Sequence, residues 1–228
     1  MVELSPQTGF FWGDTPHYFE LRKKMIDKQI RARGVRDSLV LKAIEKIPRH
    51  RFVYEHLENF AYDDTPLPIG EDQTISQPFI VAYMTAALEL KGGEKVLEVG
   101  TGSGYQAAVL SGIAAHIFTI EINENLAIEA AQRLKKMGYT NVTVRFGDGY
   151  KGLKEQAPFD GIVVTAAPDH IPYPLINQLK IGGKIVIPLG ETYQELIVAT
   201  KLSDGSINKE ARIPVRFVPM IGEAEKKD

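Results

Sequence analysis

The feature that most constrains the fold is a glycine-rich loop between an apolar segment and a helical one. Lys95–Val99 has the apolar pattern of a buried strand, and Gly100, Gly102 and Gly104 follow it before the helical segment Tyr105–Ser111. Glycine lacks a Cβ atom, so such a loop turns tightly and lets a ligand approach its backbone. The next helix presents unpaired N–H groups at its start. These residues predict a strand–loop–helix unit with a ligand at the loop.

The rest of the chain after residue 92 alternates between strand and helix patterns. Apolar runs predict strands at 116–122, 142–146, 159–165 and 184–189, with helices at 126–137 and 175–179 between them. This alternation predicts an α/β fold, a Rossmann-like parallel sheet with helices on both faces. Strand patterns at 195–201 and 211–220 surround the turn Asp204-Gly205 and predict added antiparallel strands.

The first 91 residues are helical in pattern. Apolar periodicity predicts helices at 17–33, 39–47 and 78–90, and a stretch rich in Pro, Gly and Asp predicts a loop at 60–74. We expect a single domain over 1–228. Its parts are an irregular arm (1–16), a helical N-terminal region (17–91), a ligand-binding core (92–190), C-terminal strands (191–222) and a charged tail (223–228).

Composition excludes several classes of chemistry. The chain has no cysteine, so disulfides, thiolate nucleophiles and cysteine metal sites are ruled out, and we predict no metal. A net charge of −2 gives no reason to expect nucleic acid or a membrane as partner. No apolar stretch is long enough to span a bilayer, and the start of the chain lacks a secretory pattern. A cytoplasmic protein is therefore expected.

The spacing of the glycines in the loop narrows the range of possible ligands. The glycines form G-x-G-x-G, whereas the dinucleotide fingerprint places its third glycine at the position of Tyr105, which argues against a hydride-transfer enzyme. No Gly-Lys-Ser or Gly-Lys-Thr of a phosphate-binding loop is present. Glu98 beside the loop would repel pyrophosphate but tolerates an ammonium or sulfonium group. The loop alone is a weak signal, because a tight turn without a ligand has the same pattern.

Two acidic residues strengthen the prediction. Glu121 ends the next predicted strand, where a carboxylate accepts hydrogen bonds from ribose hydroxyls, and Asp148 lies between Gly147 and Gly149 after the third strand. Each alone could be a solvated carboxylate or a simple turn. Together they predict S-adenosylmethionine as cofactor, with S-adenosylhomocysteine as product. The pattern resembles motif I of the class I methyltransferases, whose ribose and adenine positions match Glu121 and Asp148.

The segment 73–78 (Gln-Thr-Ile-Ser-Gln-Pro) points to the methyl acceptor. From about residue 21 to 222 the chain resembles the protein-L-isoaspartate O-methyltransferase family. The matching motifs are Val35-Arg36, Ile47-Pro48-Arg49-His50, 73–78, 99–108, 147–149, 157–160, 164–168, 178–180, 182–183 and 217–219.

That resemblance implies that 73–78 closes over the cofactor and that Ser76 contacts the substrate carboxylate. It implies cofactor contacts from Gln73, Thr74, Ile75, Ser76, Glu98, Gly100, Thr101, Gly102, Ser103, Gly104, Glu121, Asp148 and Gly149. On the substrate side it implies Thr74, Ser76, Pro78, Ala166 and Val218, with Ser76 as the catalytic residue. Taken without the resemblance, Ser76 would be interpreted as a helix N-cap before Pro78.

The activity implied is methyl transfer to the free carboxylate of L-isoaspartyl residues in damaged proteins and peptides, followed by repair through a succinimide. We expect a monomer. The alternatives are a methyltransferase for a small-molecule carboxylate or hydroxyl, and a non-catalytic adenosyl-binding module. Thr165-Ala166-Ala167-Pro168 lowers the expectation of base N-methylation, and His170 is the one histidine near the expected active edge. Flanking-sequence preference and acceptance of D-aspartyl residues stay open.

Overall fold

The computed structural model describes residues 14–225, in which helices and strands alternate along most of the chain. The helices are α1 (Pro16–Met25), α2 (Ser38–Lys46), α3 (Pro78–Ala87), α4 (Tyr105–Ser111), α5 (Glu124–Lys136) and α6 (Tyr173–Gln178). The strands are β1 (Leu67–Gly70), β2 (Gln73–Ile75), β3 (Lys95–Val99), β4 (His116–Glu121), β5 (Val142–Phe146), β6 (Phe159–Val164), β7 (Leu179–Leu189), β8 (Gln194–Lys201) and β9 (Ile207–Val215). Short 3-10 turns lie at Arg31–Arg33, Arg49–Phe52, Glu55–Phe60, Gly149–Lys151, Lys154–Gln156 and Gly222–Glu225.

Seven strands form one mixed sheet in the order β5-β4-β3-β6-β7-β8-β9. The pairs from β5 to β7 are parallel, whereas β8 and β9 add to β7 as antiparallel strands. The predicted fold class is confirmed, including the antiparallel strands at one side. In this order β3 lies between β4 and β6, so the glycine loop (residues 100–104) emerges at the centre of the parallel part.

The central strands are apolar on both faces because helices cover both. Along β3, Val96 belongs to one core and Leu97 and Val99 belong to the other, as the two-residue period of a strand requires. Burying each such side chain contributes about 1.5–3 kcal/mol. Glu98 therefore points towards the same face as Val96, into the core that also includes residues of α1 to α4.

The N-terminal helices begin and end largely where the sequence predicts. The Asp37 side chain caps α2 by accepting the N–H groups of Leu39 and Val40. The predicted helix at 17–33 consists of α1, a π-helical segment (Ile26–Ile30) and a 3-10 turn that ends at Gly34. Periodicity did not reveal the π-helical segment, because one turn of wider helix hardly changes the apolar spacing.

Three local predictions were wrong. The predicted loop at 60–74 contains part of the antiparallel hairpin β1–β2, in which Leu67 pairs with Ile75. Its strands are too short to show alternation, and burial of Leu67 and Ile75 stabilises them. β7 begins at Leu179 instead of 184, and β9 covers Ile207–Val215 instead of 211–220.

After β9 the chain leaves the sheet and turns back to the carboxyl ends of the strands. Pro219 forms an isolated parallel pairing with Ala167, and Gly222–Glu225 forms a 3-10 turn. The predicted arm at 1–16 lies outside the described residues except for 14–16, and the end of the charged tail (226–228) also lies outside them. None of the helices within residues 14–225 is long and apolar enough to cross a membrane.

Candidate active site

A cavity of about 1060 Å³ opens at the carboxyl ends of β3, β4 and β6. Open α/β sheets bind their ligands at this edge. Most of the predicted site residues line it: Gln73, Thr74, Ile75, Ser76, Gly100, Thr101, Gly102, Ser103, Glu121, Gly149, Ala166 and Val218. The structure thus brings together three parts of the sequence around one cavity, namely the hairpin β1–β2 with Ser76, the strand ends of the core, and the segment after β9.

The glycine loop needs glycine at its first position for two reasons. Gly100 has φ +93°, which side chains rarely adopt, and a Cβ atom there would lie 2.2 Å from Thr165 Oγ1. The Thr165 hydroxyl donates to the Gly100 carbonyl at 2.8 Å. The loop is therefore packed against the end of β6 on one side, and its other side faces the cavity.

Glu121 is held in one orientation beside the loop. Its Oε2 accepts the N–H of Gly102 at 2.8 Å, and its Oε1 accepts the N–H of Asn123 at 3.0 Å. The residue is 6% exposed and lines the cavity. A carboxylate oxygen accepts more than one hydrogen bond, so both oxygens retain acceptor capacity for a pair of hydroxyl groups.

The loop is also supported from behind. Arg133 on α5 donates from Nη1 to the Ser103 carbonyl at 2.9 Å. The hydroxyls of Thr101 and Thr119 are 2.7 Å apart, which ties the loop to β4. Neither Arg133 nor Thr119 was predicted as a site residue, since both lie on ordinary helix and strand patterns.

Asp148 is engaged by the chain itself. Its Oδ1 accepts the N–H of Tyr150 and its Oδ2 accepts the N–H of Glu223, both at 2.9 Å. Gly149 lines the cavity beside it, and a Cβ atom at Gly149 would lie 2.4 Å from Val99 Cγ1. The 3-10 turn Gly222–Glu225 therefore lies on the turn that was predicted to bind adenine, a contact that no local pattern showed.

Four predicted residues do not reach the cavity wall: Pro78, Glu98, Gly104 and Asp148. Pro78 is buried at the first turn of α3, and Gly104 precedes α4 with Leu134 packed against its backbone. Glu98 is fully buried under the loop because strand alternation points it into the core. These positions support the site from within, and none of them offers a side chain to the cavity.

The Glu98 carboxylate makes no hydrogen bond with another of the residues 14–225. Burial raises the pKa of this carboxyl group to about 8; the nearby Thr119 hydroxyl opposes the rise, and the negative charge of Glu121 adds to it. Glu98 is therefore mostly a neutral acid at pH 7. Its charge does not stand at the cavity surface, contrary to the reasoning that placed a carboxylate next to a sulfonium group.

Ser76 lies on the cavity wall between β2 and α3. The N-cap of α3 is Gln77, which makes no capping hydrogen bond, so the interpretation of Ser76 as a helix cap is wrong. The Ser76 hydroxyl makes no hydrogen bond within residues 14–225, whereas its carbonyl accepts Nη2 of Arg49 at 2.7 Å. A half-buried hydroxyl on a cavity wall is available to a ligand.

The turn of the hairpin β1–β2 is attached to the start of α5, which follows β4. Glu71 accepts the side-chain amides of Asn123 at 2.9 Å and Asn125 at 3.1 Å. These hydrogen bonds, that from Asn125 most strongly, lower the pKa of the Glu71 carboxyl group. The hairpin therefore bridges the cavity above the loop.

The segment after β9 forms the opposite wall. The Val218 carbonyl accepts the N–H of Ala167 at 2.8 Å, and the Ala167 carbonyl accepts the N–H of Met220 at 2.9 Å. The Val218 N–H makes no hydrogen bond with another described residue. Backbone groups next to Ala166 are thus presented along an extended segment, which suits a peptide.

Two basic side chains line the cavity. Arg33 stacks on Phe79 of α3, 3.5 Å from the ring centroid, and forms an ion pair with Asp64 at 2.8 Å. Arg216, two residues before Val218, is exposed and forms no ion pair with another described residue. Arg216 therefore offers an unpaired positive charge to a ligand.

No group of three or more His, Asp or Glu side chains within the described part of the chain is placed to hold a metal ion. His170 bonds Tyr150 and Asp169 at the surface and does not line the cavity. Both ring nitrogens of this histidine are therefore engaged by neighbouring side chains.

Comparison with known proteins decides the family. Residues 20–225 match the sequence profile described as "Protein-L-isoaspartate(D-aspartate) O-methyltransferase". The chain belongs to this family. A protein-L-isoaspartate O-methyltransferase of Picosynechococcus sp. is 52% identical over 219 residues, which cover 96% of this chain and 97% of the relative. Protein-L-isoaspartate O-methyltransferase 2 of Shewanella sediminis is 51% identical over 220 residues, covering 94% and 88%.

Solved structures of the family have the same fold. A protein-L-isoaspartate O-methyltransferase of 28% identity superposes with a TM-score of 0.80, covering 91% of this chain and 67% of that one. A putative family member from Plasmodium falciparum, in complex with S-adenosyl-L-homocysteine, gives a TM-score of 0.75 at 24% identity, covering 90% and 98%. This chain is an S-adenosylmethionine-dependent methyltransferase that acts on L-isoaspartyl residues, as the sequence predicted.

Proposed function

We propose that the methyl group of S-adenosylmethionine passes to an isoaspartyl carboxylate that the Ser76 hydroxyl orients. The observation that carries this proposal is the position of Ser76: its hydroxyl, unused within residues 14–225, lies on the wall of the cavity that also contains the glycine loop and Glu121. The cofactor side and the carboxylate side of the reaction therefore share one space.

The residues at the loop fit the cofactor. The backbone at Gly100 and Gly149 packs so closely on Thr165 and Val99 that no Cβ atom fits, which fixes both turns at the edge of the cavity. Glu121 accepts the ribose hydroxyls, and Gln73, Thr74 and Ile75 cover the ligand from the hairpin. S-adenosylmethionine, when bound, supplies a methyl group on a positively charged sulfur, which is a good leaving group.

The reaction needs no general base from this chain. A free carboxyl group has a pKa of about 4, so the isoaspartyl carboxylate is already ionised at pH 7. The Ser76 hydroxyl donates to one carboxylate oxygen and leaves the other to attack. The chain's contribution is to place the reactants in line and to exclude water.

The peptide lies along the extended segment after β9. The unused N–H of Val218 and the backbone near Ala166 bind its main chain, while Arg216 attracts its negative charge. In the product ester the nitrogen of the neighbouring backbone amide then attacks the ester carbonyl, which forms the succinimide ring and releases methanol with the amide proton. Hydrolysis of that ring converts part of the damaged residues to normal aspartate.

The experiment that tests this activity uses radiolabelled S-adenosylmethionine and a matched set of peptides. Peptides of one sequence carry L-isoaspartate, L-aspartate or D-aspartate at a single position. We expect labelling of the L-isoaspartyl peptide and none of the L-aspartyl peptide, and the D-aspartyl peptide measures the breadth of the site. Equal labelling of the two L-peptides, or labelling of neither, would overturn the assignment.

The role of Ser76 is tested by Ser76→Ala. A hydrogen bond to a charged group is worth about 1.5–3 kcal/mol, so we expect turnover to fall by about tenfold to a hundredfold. Affinity for S-adenosylhomocysteine, measured by calorimetry, should persist. Ser111→Ala is the control, since Ser111 bonds the Ala108 carbonyl on α4 away from the cavity. Full activity of Ser76→Ala would show that the hydroxyl is not used.

We further propose that the enzyme acts as a monomer in the cytoplasm. The residues proposed for the cofactor and for the acceptor line one cavity of this chain, so both sides of the reaction fit within a single copy. Light scattering of the purified protein at micromolar concentration should give the mass of one chain, 25.3 kDa. Cell fractionation tests the compartment, and recovery with membranes would contradict it.

A further inference from the structure

We infer that Arg49 is a positioning residue for methyl transfer, which sets the place of Ser76 through the Ser76 carbonyl group. This inference rests on the role proposed for the Ser76 hydroxyl. Arg49 is part of the Ile-Pro-Arg-His motif at 47–50, to which the proposed function assigns nothing so far.

The Arg49 guanidinium joins three parts of the chain, two of which line the cavity. Nη2 donates to the Ser76 carbonyl and Nε donates to the Ala61 carbonyl, each at 2.7 Å. The Cζ atom lies over the Tyr105 ring, 4.7 Å from its centroid. Tyr105 starts α4 directly after the glycine loop and lines the cavity. One side chain therefore relates the substrate residue to the cofactor loop.

Stability does not explain this arrangement. Arg49 is fully buried and forms no ion pair with a described carboxylate, and its Nη1 makes no hydrogen bond within residues 14–225. A buried cation without an ionised partner is costly. Arg22 is also buried, but its charge is compensated by an ion pair with Asp14 at 2.6 Å. Because a buried arginine without an ion pair lowers stability, we attribute Arg49 to the positioning of the Ser76 carbonyl group.

The geometry also requires arginine at this place. Nε and Nη2 belong to one rigid plane, so the two carbonyl oxygens that they bind are held at a constant separation. A lysine has a single nitrogen on a flexible stem and cannot reproduce that separation. The Gln77 side chain ties the next residue to the Asp64 carbonyl at 2.9 Å, but this contact does not orient the Ser76 carbonyl.

The test is a double-mutant cycle with Arg49→Lys, Ser76→Ala and the double variant. We expect Arg49→Lys to lower kcat for the isoaspartyl peptide by about tenfold, while affinity for S-adenosylhomocysteine changes less than about threefold. In the Ser76→Ala background the same substitution should change kcat less than about twofold, because the group through which it acts is gone.

The outcomes separate the two proposals. If Ser76→Ala lowers kcat and Arg49→Lys lowers it by the same factor in both backgrounds, Arg49 acts independently of Ser76 and this inference is overturned alone. Unchanged kcat in Ser76→Ala overturns the role of Ser76 and this inference with it. Arg22→Lys is the matched control: it should lower the unfolding temperature and leave kcat unchanged.

A second substitution keeps the test valid if Arg49→Lys does not fold. Replacement of Gln77 by the corresponding α-hydroxy acid converts the Ser76 carbonyl into an ester carbonyl, which is a weaker acceptor. We expect kcat to fall severalfold with Ser76 present and to stay unchanged in the Ser76→Ala background. No fall in the first case would overturn the inference.

Discussion

At the scale of single residues, two glutamates of similar sequence context have opposite environments. Glu121 ends β4, accepts two backbone N–H groups and faces the cavity. Glu98 lies inside β3, has no hydrogen-bond partner within residues 14–225 and is fully buried. The two side chains share one face of the sheet, since Glu98 pairs with Thr119 and Glu121 lies two residues further along β4. The difference follows from depth, because Glu98 lies inside its strand and Glu121 lies at the carboxyl end, where the cavity opens. It makes one residue a ligand-binding group and the other a buried acid.

The Glu98 environment predicts a pH dependence of stability. Its pKa is about 8 in the folded protein and near 4.5 when unfolded, so the folded state binds the extra proton between these values. The free energy of unfolding should therefore fall as pH rises through this window, with a limiting slope of about 1.4 kcal/mol per pH unit. Glu98→Gln should lose this component, measured by chemical denaturation at pH 6 and pH 9.

The control for that experiment is Glu55→Gln, which changes an exposed carboxylate far from the sheet interior. It should keep the pH slope of the unchanged protein. Equal slopes for Glu98→Gln and the unchanged protein would show that Glu98 is ionised in the folded state.

The second residue-scale prediction concerns Gly100→Ala. The new Cβ atom would clash with Thr165 at 2.2 Å in a backbone of φ +93°. Strain and displacement of about 1–3 kcal/mol should weaken binding of S-adenosylhomocysteine about tenfold or more. Gly205→Ala is a matched control, because its φ is +83° but nothing lies within 4 Å. Calorimetry should show normal affinity for that variant, and equal losses in the two would remove the steric argument.

At the scale of elements, the hairpin β1–β2 is the part that sequence patterns did not show. It has strands of four and three residues, and its turn contains Glu71 and Asp72 at φ +53° and +55°. Non-glycine residues rarely adopt this conformation. The hairpin is stabilised because the side chain of its own Ile75 is buried and because Glu71 accepts hydrogen bonds from Asn123 and Asn125. Neither the burial of Ile75 nor the hydrogen bonds of Glu71 can be predicted from a short-range sequence pattern.

The hairpin contact predicts an effect on ligand release. Glu71→Ala removes the hydrogen bonds to Asn123 and Asn125 at the start of α5, so S-adenosylhomocysteine should dissociate severalfold faster in a stopped-flow displacement assay. The unfolding temperature should change little, since Glu71 is exposed. Asp72→Ala, next to it in the same left-handed conformation, is the control and should release the ligand at the normal rate. Identical rates for the two variants would argue against a role for the contact.

At the scale of the whole molecule, the end of the chain completes a site that begins in its centre. The segment after β9 reaches Ala167 and then Asp148, so that residues far apart in sequence close one cavity. Lys151 and Glu223 add an ion pair at 3.2 Å over the same turn. The order of strands makes this possible, because it places β9 at the edge from which the chain returns.

That closure predicts a truncation effect. Removal of residues 222–228 takes away the turn on Asp148, so the affinity for S-adenosylhomocysteine should fall severalfold while the fold persists, as judged by circular dichroism. Removal of residues 226–228 alone retains the turn and should leave the affinity unchanged. Normal affinity after the longer truncation would show that the turn does not contribute to the cofactor site.

The sequence by itself determined the parallel sheet, the glycine loop and the strand-end carboxylate of Glu121. Each depends on residues adjacent along the chain, because the helical and strand periods and the turn chemistry act over a few residues. The methyl acceptor was predicted from the motif at 73–78, through its resemblance to a known family.

Only the tertiary structure decided which side chains meet. Arg49 bonds a carbonyl 27 residues away, Glu71 an amide 52 residues away, and Asp148 an N–H 75 residues away. No local preference encodes such pairs, since they form when both faces of the sheet bury their apolar side chains and bring the strand ends together. For the same reason, burial of Glu98 removed a predicted ligand from the cavity, and packing, not the motif, set its pKa.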